Sequence, residues 1–198
     1  MILWTIQTPQ AWEILQKTGT LRCDPGFSEK DFLLAYEWLA DQMHKRLPGD
    51  APQGAFPLWA WYQWEGERRR RPDLRARGHV PPGEKAYRIE FEIDDDQVLL
   101  SDFELWHYVL NYWYLSASMA EGEAFDARLE EKGFLMTSEH PLPDQYLDAA
   151  IRKSWERIFD LDWYEPDMTH PIEKKNIQAT FWELSMDWVS RVDAFTGR

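Results

Sequence analysis

Residues 68–77 have the side chains best suited to binding an anion. They read RRRRPDLRAR, six arginines against one aspartate, a net charge of +5 in a chain whose total is -13. Guanidinium groups bind phosphate and carboxylate oxygens in pairs through parallel N–H donors. We therefore expect Arg70, Arg71 and Arg75, with His79 beside them, to bind a small phosphate-bearing or otherwise anionic ligand. The alternative is a solvated loop whose arginines pair with the chain's own carboxylates.

A second candidate lies after the predicted strand that ends at Leu100. His107, Asn111 and Tyr114 recur at spacings of four and three residues, so one helix would place them on a polar seam that could line a ligand cleft. A histidine at the edge of the core, held by a hydrogen bond, is the alternative. Asp102 is a candidate acid or base near that cleft, although its position before a helix also suits a cap.

Carboxylates provide a third candidate. Arg88, Glu90 and Glu92 alternate with apolar residues on one face of a predicted strand, and Glu183 follows a late strand. Paired carboxylates can carry out acid–base chemistry, but such a row is also typical of the solvated face of a sheet. The sequence does not decide whether the chain is an enzyme, and it indicates no cofactor.

Known ligand motifs do not narrow the choice. The five histidines are far apart, with no second histidine or cysteine at a ligand spacing, so we predict no metal site. We find no phosphate-binding glycine loop, dinucleotide fingerprint or nucleophile elbow. Cys23, the only cysteine, has no features that indicate a nucleophile.

Composition limits the partners and the location. A charge of -13 argues against general binding of nucleic acids, and no apolar run is long enough for a membrane helix. The N-terminal residues lack a secretory signal, and a single cysteine suits a reducing compartment, so we expect a cytoplasmic protein. The sequence does not indicate an oligomeric state.

Hydrophobic periodicity predicts a single α+β domain over residues 1–198, with a mainly antiparallel sheet flanked by five or six helices. Predicted strands cover residues 2–6, 20–23, 57–64, 87–93, 98–100 and 177–182. Predicted helices follow Pro9, Ser28 and Ser101 and cover 125–132, 143–159 and 185–195. Thr8 and Gly19 predict the start and the stop of the first helix, and the pairs Ser28/Asp31 and Ser101/Glu104 predict capping boxes for the next two. Acidic residues 94–96 would join the fourth and fifth strands in a hairpin, and residues 65–83 would form a long irregular loop.

Tryptophan is unusually abundant, with 12 residues that show no repeat. Indole rings fill large core volumes, so we interpret most of them as core residues. One alternative is an exposed aromatic platform for a flat ligand, and another is an exposed aromatic surface that contacts a second protein. In that case Trp59, Trp61 and Trp64, together with arginine, would make the chain a non-catalytic protein-interaction module.

Three stretches carry a resemblance to a known family: LWTIQ at residues 3–7, PDLR at 72–75, and LLSDF at 99–103 running on to Trp106, His107, Leu110 and Asn111. The sequence resembles a bacterial family of about this length, a domain of unknown function of the DUF3841 type. That resemblance covers nearly the whole chain and implies no activity.

Residues 2–23 also show a looser likeness to the ADP-ribosyltransferase-like fold, which often opens with a strand, a short helix ending in glycine, and another strand. That likeness implies a pocket for NAD or a phosphorylated nucleotide, with Glu183 as the late-strand acid. The first strand here carries neither the histidine nor the arginine that such enzymes commonly place near the ligand.

Overall fold

The computed structural model describes residues 1–23, 32–52, 55–134 and 140–198. It confirms the predicted α+β class. Within these residues the α-helices are α1 (Pro9–Thr18), α2 (Leu33–Arg46), α3 (Phe103–Leu110), α4 (Met119–Glu131) and α5 (Gln145–Ser154). The strands are β1 (Ile2–Gln7), β2 (Thr20–Leu21), β3 (Leu58–Gln63), β4 (Lys85–Glu92), β5 (Leu99–Asp102), β6 (Ile177–Phe181), β7 (Leu184–Ser185) and β8 (Val189–Thr196).

The chain divides into two compact units. One, here called the sheet unit, comprises residues 1–100 and 176–198, and the other, the helical unit, comprises residues 101–175. Six strands form one sheet in the order β5-β6-β3-β1-β4-β8, while β2 pairs with β7. The pairs β1–β3, β1–β4, β3–β6 and β4–β8 are antiparallel, as the sequence predicted for the sheet as a whole.

Alternation along the central strands builds the core of the sheet unit. Ile89 and Phe91 of β4 are fully buried, as is Leu3 on the neighbouring β1. Phe91 also packs against Phe181 of β6, with ring centroids 5.2 Å apart. Every second residue of each strand therefore faces this core, which leaves the intervening residues to form the opposite face.

The ends of α1 confirm the start and stop predicted from sequence. Thr8 accepts a hydrogen bond from the Ala11 amide at 3.2 Å, and Pro9 occupies the first helical position. Gly19 ends the helix in the left-handed conformation with φ 77°, which glycine adopts without steric cost. The predicted cap of α2 at Ser28 and Asp31 lies outside the described residues.

Two predictions about the sheet are wrong. The fourth and fifth strands do not form a hairpin, because β4 lies between β1 and β8 whereas β5 lies beside β6 at the other end of the sheet. The predicted terminal helix is instead β8, preceded by a 3₁₀ turn at Met186–Trp188. Strand β8 satisfies its backbone groups by pairing with β4 from Lys85↔Thr196 to Phe91↔Val189.

The cap of α3 is Asp102 rather than Ser101. The Asp102 carboxylate accepts hydrogen bonds from the amides of Glu104 at 3.0 Å and Leu105 at 3.3 Å. Its other oxygen contacts the ammonium group of Lys175 at 3.1 Å and the hydroxyl of Thr169 at 2.8 Å. Both charged side chains are buried, so this network holds the last residues of the helical unit to the start of α3.

The tryptophans contribute mainly to packing. Trp4, Trp38, Trp106 and Trp155 are buried, and seven others are partly buried. Trp113 differs, since it is 43% exposed.

Candidate functional site

The predicted anion-binding arginines line a cavity in the sheet unit. This arginine cavity has a volume of about 560 Å³. Arg70, Arg71 and Arg75 all contribute to its wall, so the structure brings these three predicted residues together. The other lining residues are Trp4, Trp64, Glu65, Glu67, Arg68, Arg69, Pro72, Asp73 and Arg88.

The loop between β3 and β4 supplies most of this wall. Its first turn is closed by a hydrogen bond from the Trp64 amide to the Arg70 carbonyl, at 3.0 Å. The Arg70 Nε donates to the Tyr62 carbonyl at 3.1 Å, and its guanidinium carbon lies 4.1 Å from the centroid of the Tyr62 ring. These contacts fix the base of the arginine segment to the end of β3.

A second turn carries Asp73 and Arg75. The Asp73 carboxylate accepts hydrogen bonds from the amide of Arg75 at 2.9 Å and from its guanidinium group at 2.7 to 3.1 Å. His79 does not line the cavity. Its Nε2 lies 2.9 Å from the Asp73 carbonyl oxygen, and the centroids of the His79 and Trp64 rings are 4.8 Å apart. His79 therefore supports the loop outside the cavity wall.

Adjacent strands of the sheet anchor the inner side of the cavity. Arg88 on β4 is directly opposite Asp193 on β8 and donates to its carboxylate at 2.7 Å. Arg71 from the loop donates to the same carboxylate oxygen at 2.5 Å. The Arg88 guanidinium also donates to the Pro72 carbonyl. Arg88 and Asp193 therefore join the arginine segment to the sheet.

Glu90 extends this polar face toward β1. Its carboxylate accepts a hydrogen bond from Trp4 Nε1 at 2.7 Å and lies 3.7 Å from Arg71 Nε. The row of charges predicted on β4 is thus only partly solvated, because Arg88 is buried beneath the loop while Glu92 is exposed.

The cavity carries local positive charge on an acidic chain. Six of its lining residues are arginines and three are carboxylates, which leaves a formal charge of +3. Burial by itself raises the pKa of Asp193, but hydrogen bonds and charges from Arg88 and Arg191 outweigh that effect and leave its pKa below the ordinary value. The hydrogen bond from the Arg75 side chain likewise lowers the pKa of Asp73. Both carboxylates are therefore ionised at neutral pH, and excess positive charge is still present.

Several donors around the cavity lack acceptors. Arg71 Nε, Arg88 Nε and Trp64 Nε1 are buried, and no atom of the described residues accepts a hydrogen bond from them. A buried donor without an acceptor is costly and uncommon in native proteins. All three belong to residues that line the arginine cavity.

The remaining predicted ligand residues belong to the helical unit. His107 and Asn111 are exposed, and their side chains hydrogen-bond backbone carbonyls of α3, with Asn111 Nδ2 donating to the His107 carbonyl at 2.7 Å. Tyr114 lies beyond the end of α3 and donates to Glu121 at 2.5 Å. The three residues do not form one seam on the helix. Their role in ligand binding stays a prediction.

The candidate acids have structural partners. Asp102 is fully buried and is used by the cap of α3 and by Lys175. Glu183 lies just beyond β6, where Arg22 donates to its carboxylate at 2.8 and 2.9 Å. Neither residue lines the arginine cavity, and no geometry in the described residues assigns them catalysis.

The three indole rings proposed for an interaction surface are partly buried. Trp59 packs edge-on against Tyr36 at 6.1 Å, and Trp61 packs edge-on against Trp64 at 4.6 Å. Such edge-to-face contacts are those of rings packed within a fold. The alternative of an interaction module stays a prediction.

Sequence reasoning missed Asp193 and did not connect Arg88 with the arginine segment. Asp193 fell in the predicted terminal helix, and Arg88 was grouped with the carboxylates of its own strand. Opposite charges facing each other across two strands would have identified the pair, but only once the β4–β8 register was known.

Two absences concern the described residues alone. No set of three or more histidine, cysteine, aspartate or glutamate side chains there is arranged to hold a metal ion. Among the same residues, no helix is long and apolar enough to cross a membrane.

The model of the family described as "Domain of unknown function (DUF3841)" matches residues 2–190. No curated protein and no solved structure matches the chain.

Proposed function

The chain belongs to the DUF3841 family, whose description names no activity, and we propose from its own residues that it binds a small phosphate-bearing or carboxylate-bearing ligand in the arginine cavity. The observation that carries this proposal is the convergence of six arginine side chains on one cavity of a chain with a net charge of -13. Keeping like charges together is unfavourable, and a bound anion would offset that cost.

The arginines differ in how well the protein already neutralises them. Arg69 is paired with Glu65 at 3.0 Å, and Arg75 with Asp73 at 2.7 Å. Arg71 and Arg88 share Asp193. In the part of the chain that the structure describes, Arg68 and Arg70 are paired with no carboxylate. These two residues are therefore the best candidates for direct contact with a ligand.

The cavity suits a small ligand better than a polymer. Its volume of about 560 Å³ lies within the range typical of small-molecule sites. The acidic remainder of the chain would repel an extended nucleic acid, whereas a nucleotide or sugar phosphate could place one anionic group against Arg68 and Arg70. Such compounds are abundant in the cytoplasm, where we expect the protein from its sequence.

The proposal concerns binding and assigns no reaction. Among the described residues that line the cavity there is no histidine, cysteine, serine or lysine to act as a base or nucleophile. Glu65, Glu67 and Asp73 are the carboxylate residues among the described lining residues, and two of them are paired with arginine.

Isothermal titration calorimetry with pyrophosphate and with adenosine monophosphate tests the proposal. We expect saturable binding to the wild-type chain that weakens at least tenfold in the double variant Arg68→Ala/Arg70→Ala, because two charge-assisted contacts are lost. Arg77→Ala is the matched control, since Arg77 lies on the same loop, is exposed and does not line the cavity.

Equal weakening by Arg77→Ala would show that only the general charge of the loop matters. No saturable binding of either anion to the wild-type chain would overturn the proposal. His107→Ala, measured in the same titrations, tests the sequence-based prediction that this residue contributes to the site. Unchanged affinity in that variant would remove His107 from the ligand-binding set.

A further inference from the structure

A second cavity lies entirely among residues of the helical unit. Its volume is about 320 Å³, and its walls come from α3 and the segment after it, from α4, from the segment before α5, and from Ile151 of α5. Aromatic side chains dominate the lining. The lining residues are Tyr108, Tyr112, Trp113, Tyr114, Ser116, Gly122, Phe125, Asp126, Leu129, His140, Leu142 and Ile151. We refer to it as the aromatic cavity.

An unusual backbone conformation helps to form its wall. Tyr112 has φ 57°, in the left-handed region that bulky residues rarely adopt. Its hydroxyl donates to Asp148 and accepts a hydrogen bond from the Leu142 amide at 3.0 Å. Its ring stacks on His140 with centroids 4.4 Å apart. Strained conformations that surrounding contacts hold in place are concentrated at functional sites.

A second aromatic pair is held just as firmly. The rings of Tyr114 and Phe125 stack nearly parallel, with centroids 3.9 Å apart and an angle of 8°. Glu121 accepts hydrogen bonds from the Tyr114 hydroxyl at 2.5 Å and from the Ala117 amide at 2.5 Å. Because the pair is anchored at both ends, Tyr114 cannot collapse into the cavity without losing these bonds.

The charge of this cavity is the opposite of that in the arginine cavity. Among the described residues that line it, Asp126 is the one with a carboxylate, and none is a lysine or an arginine. Burial lowers the pKa of His140, so that ring is neutral at neutral pH. Among the described lining residues, a ligand meets aromatic rings and the negative charge of Asp126.

We propose that the aromatic cavity binds a small organic cation of the quaternary ammonium class. The faces of tyrosine, tryptophan and phenylalanine rings carry negative electrostatic potential and attract cations that bear methyl groups, which are only weakly hydrated. Asp126 supplies the opposite charge. Trp113 is the exposed tryptophan at this cavity, so a bound cation would cover an indole ring that is otherwise open to solvent.

Neither an anion nor a neutral apolar compound fits this lining as well. An anion would face Asp126 with no lining cation to offset the repulsion. A neutral ligand would gain from burial against Leu129, Leu142 and Ile151 but would gain nothing from the carboxylate. Charge and aromatic content together therefore select the cation, independently of what binds in the arginine cavity.

The test is a calorimetric titration of the whole chain with choline and with its neutral carbon analogue. In that analogue a tert-butyl group replaces the trimethylammonium group. Benzyltrimethylammonium serves as a larger cationic probe. We expect both cations to bind saturably and choline to bind at least tenfold more tightly than the neutral analogue, because the two have nearly the same shape and differ in charge.

Three variants locate the binding. Asp126→Asn should weaken choline binding roughly fivefold to tenfold, and Trp113→Leu should weaken it by a similar factor. Both residues are exposed, so neither change should disturb folding. Glu123→Gln is the matched control, because it removes the same charge from α4 outside the cavity and should leave the affinity unchanged.

Three results would overturn the proposal: equal binding of choline and its neutral analogue, no saturable binding of either cation, or equal weakening by Glu123→Gln and Asp126→Asn. Pyrophosphate titration of the same variants separates this site from the arginine cavity, since Asp126→Asn should leave anion binding intact.

Discussion

The two cavities of this chain are built in opposite ways. The arginine cavity lies on paired strands and an irregular loop, and shared carboxylates such as Asp193 hold its like charges together. The aromatic cavity lies among helix ends, and stacked rings and hydrogen-bonded hydroxyl groups hold its walls. Ion pairs thus hold the walls of the first cavity, whereas stacked rings and tyrosine hydroxyl groups that donate to Asp148 and Glu121 hold those of the second.

Among these variants, we expect the largest change in stability when Arg88 is replaced. This side chain is buried, and Arg88→Met would leave the partly buried Asp193 without one of its donors and Pro72 without its hydrogen bond. We expect the free energy of unfolding, measured in urea, to fall by about 3–5 kcal/mol. Asp126→Asn in the aromatic cavity should change it by less than about 0.5 kcal/mol. Similar losses of unfolding free energy in Arg88→Met and Asp126→Asn would contradict the view that ion pairs hold only the arginine cavity together.

An intermediate effect is expected from Tyr112→Phe. This change removes the hydroxyl that bonds to both Asp148 and the Leu142 amide, and leaves the buried amide without its acceptor. A loss of about 1–3 kcal/mol in the free energy of unfolding should follow. Tyr108→Phe is the control, because no atom of the described residues hydrogen-bonds its hydroxyl group, and stability close to that of the wild type is expected there. If Tyr112→Phe left the free energy of unfolding unchanged, ring stacking alone would hold this wall of the aromatic cavity.

The smallest expected effect is a dependence on acidity. The pKa of Asp193 in the folded chain lies below its ordinary value of ~3.9. The ionised carboxylate therefore stabilises the fold at pH values above that ordinary value. The stabilisation is lost as pH falls through the folded pKa. The difference in melting temperature between wild type and Asp193→Asn should therefore be largest at neutral pH and shrink below about pH 4. A difference that stays constant with pH would exclude the ionised carboxylate as its source.

Local features of the fold were predictable from the sequence, and long-range ones were not. Thr8, Pro9 and Gly19 delimit α1 through interactions within a few residues of each other, so their pattern was sufficient. The spacing of Trp188 and Val192 suited a helix, yet the segment forms β8 because β4 offers a partner more than ninety residues away in the chain. Short apolar runs do not distinguish these outcomes by themselves.

The candidate sites show the same division. Composition alone identified the arginine segment, because charge does not depend on register. The seam of His107, Asn111 and Tyr114 assumed one continuous helix, whereas α3 ends at Leu110 and Tyr112 then turns the chain in the left-handed conformation. That turn brings Tyr114 to the aromatic cavity and leaves His107 and Asn111 on the exposed helix surface.

The path of the chain through the sheet has a consequence for how this protein could vary. The chain leaves the sheet unit after Leu100, within β5, and returns at Asn176, just before the neighbouring strand β6. Residues 101–175 thus form one uninterrupted excursion between adjacent strands. An insertion or deletion within such an excursion would change the length of one connection and leave the order of the strands as it is.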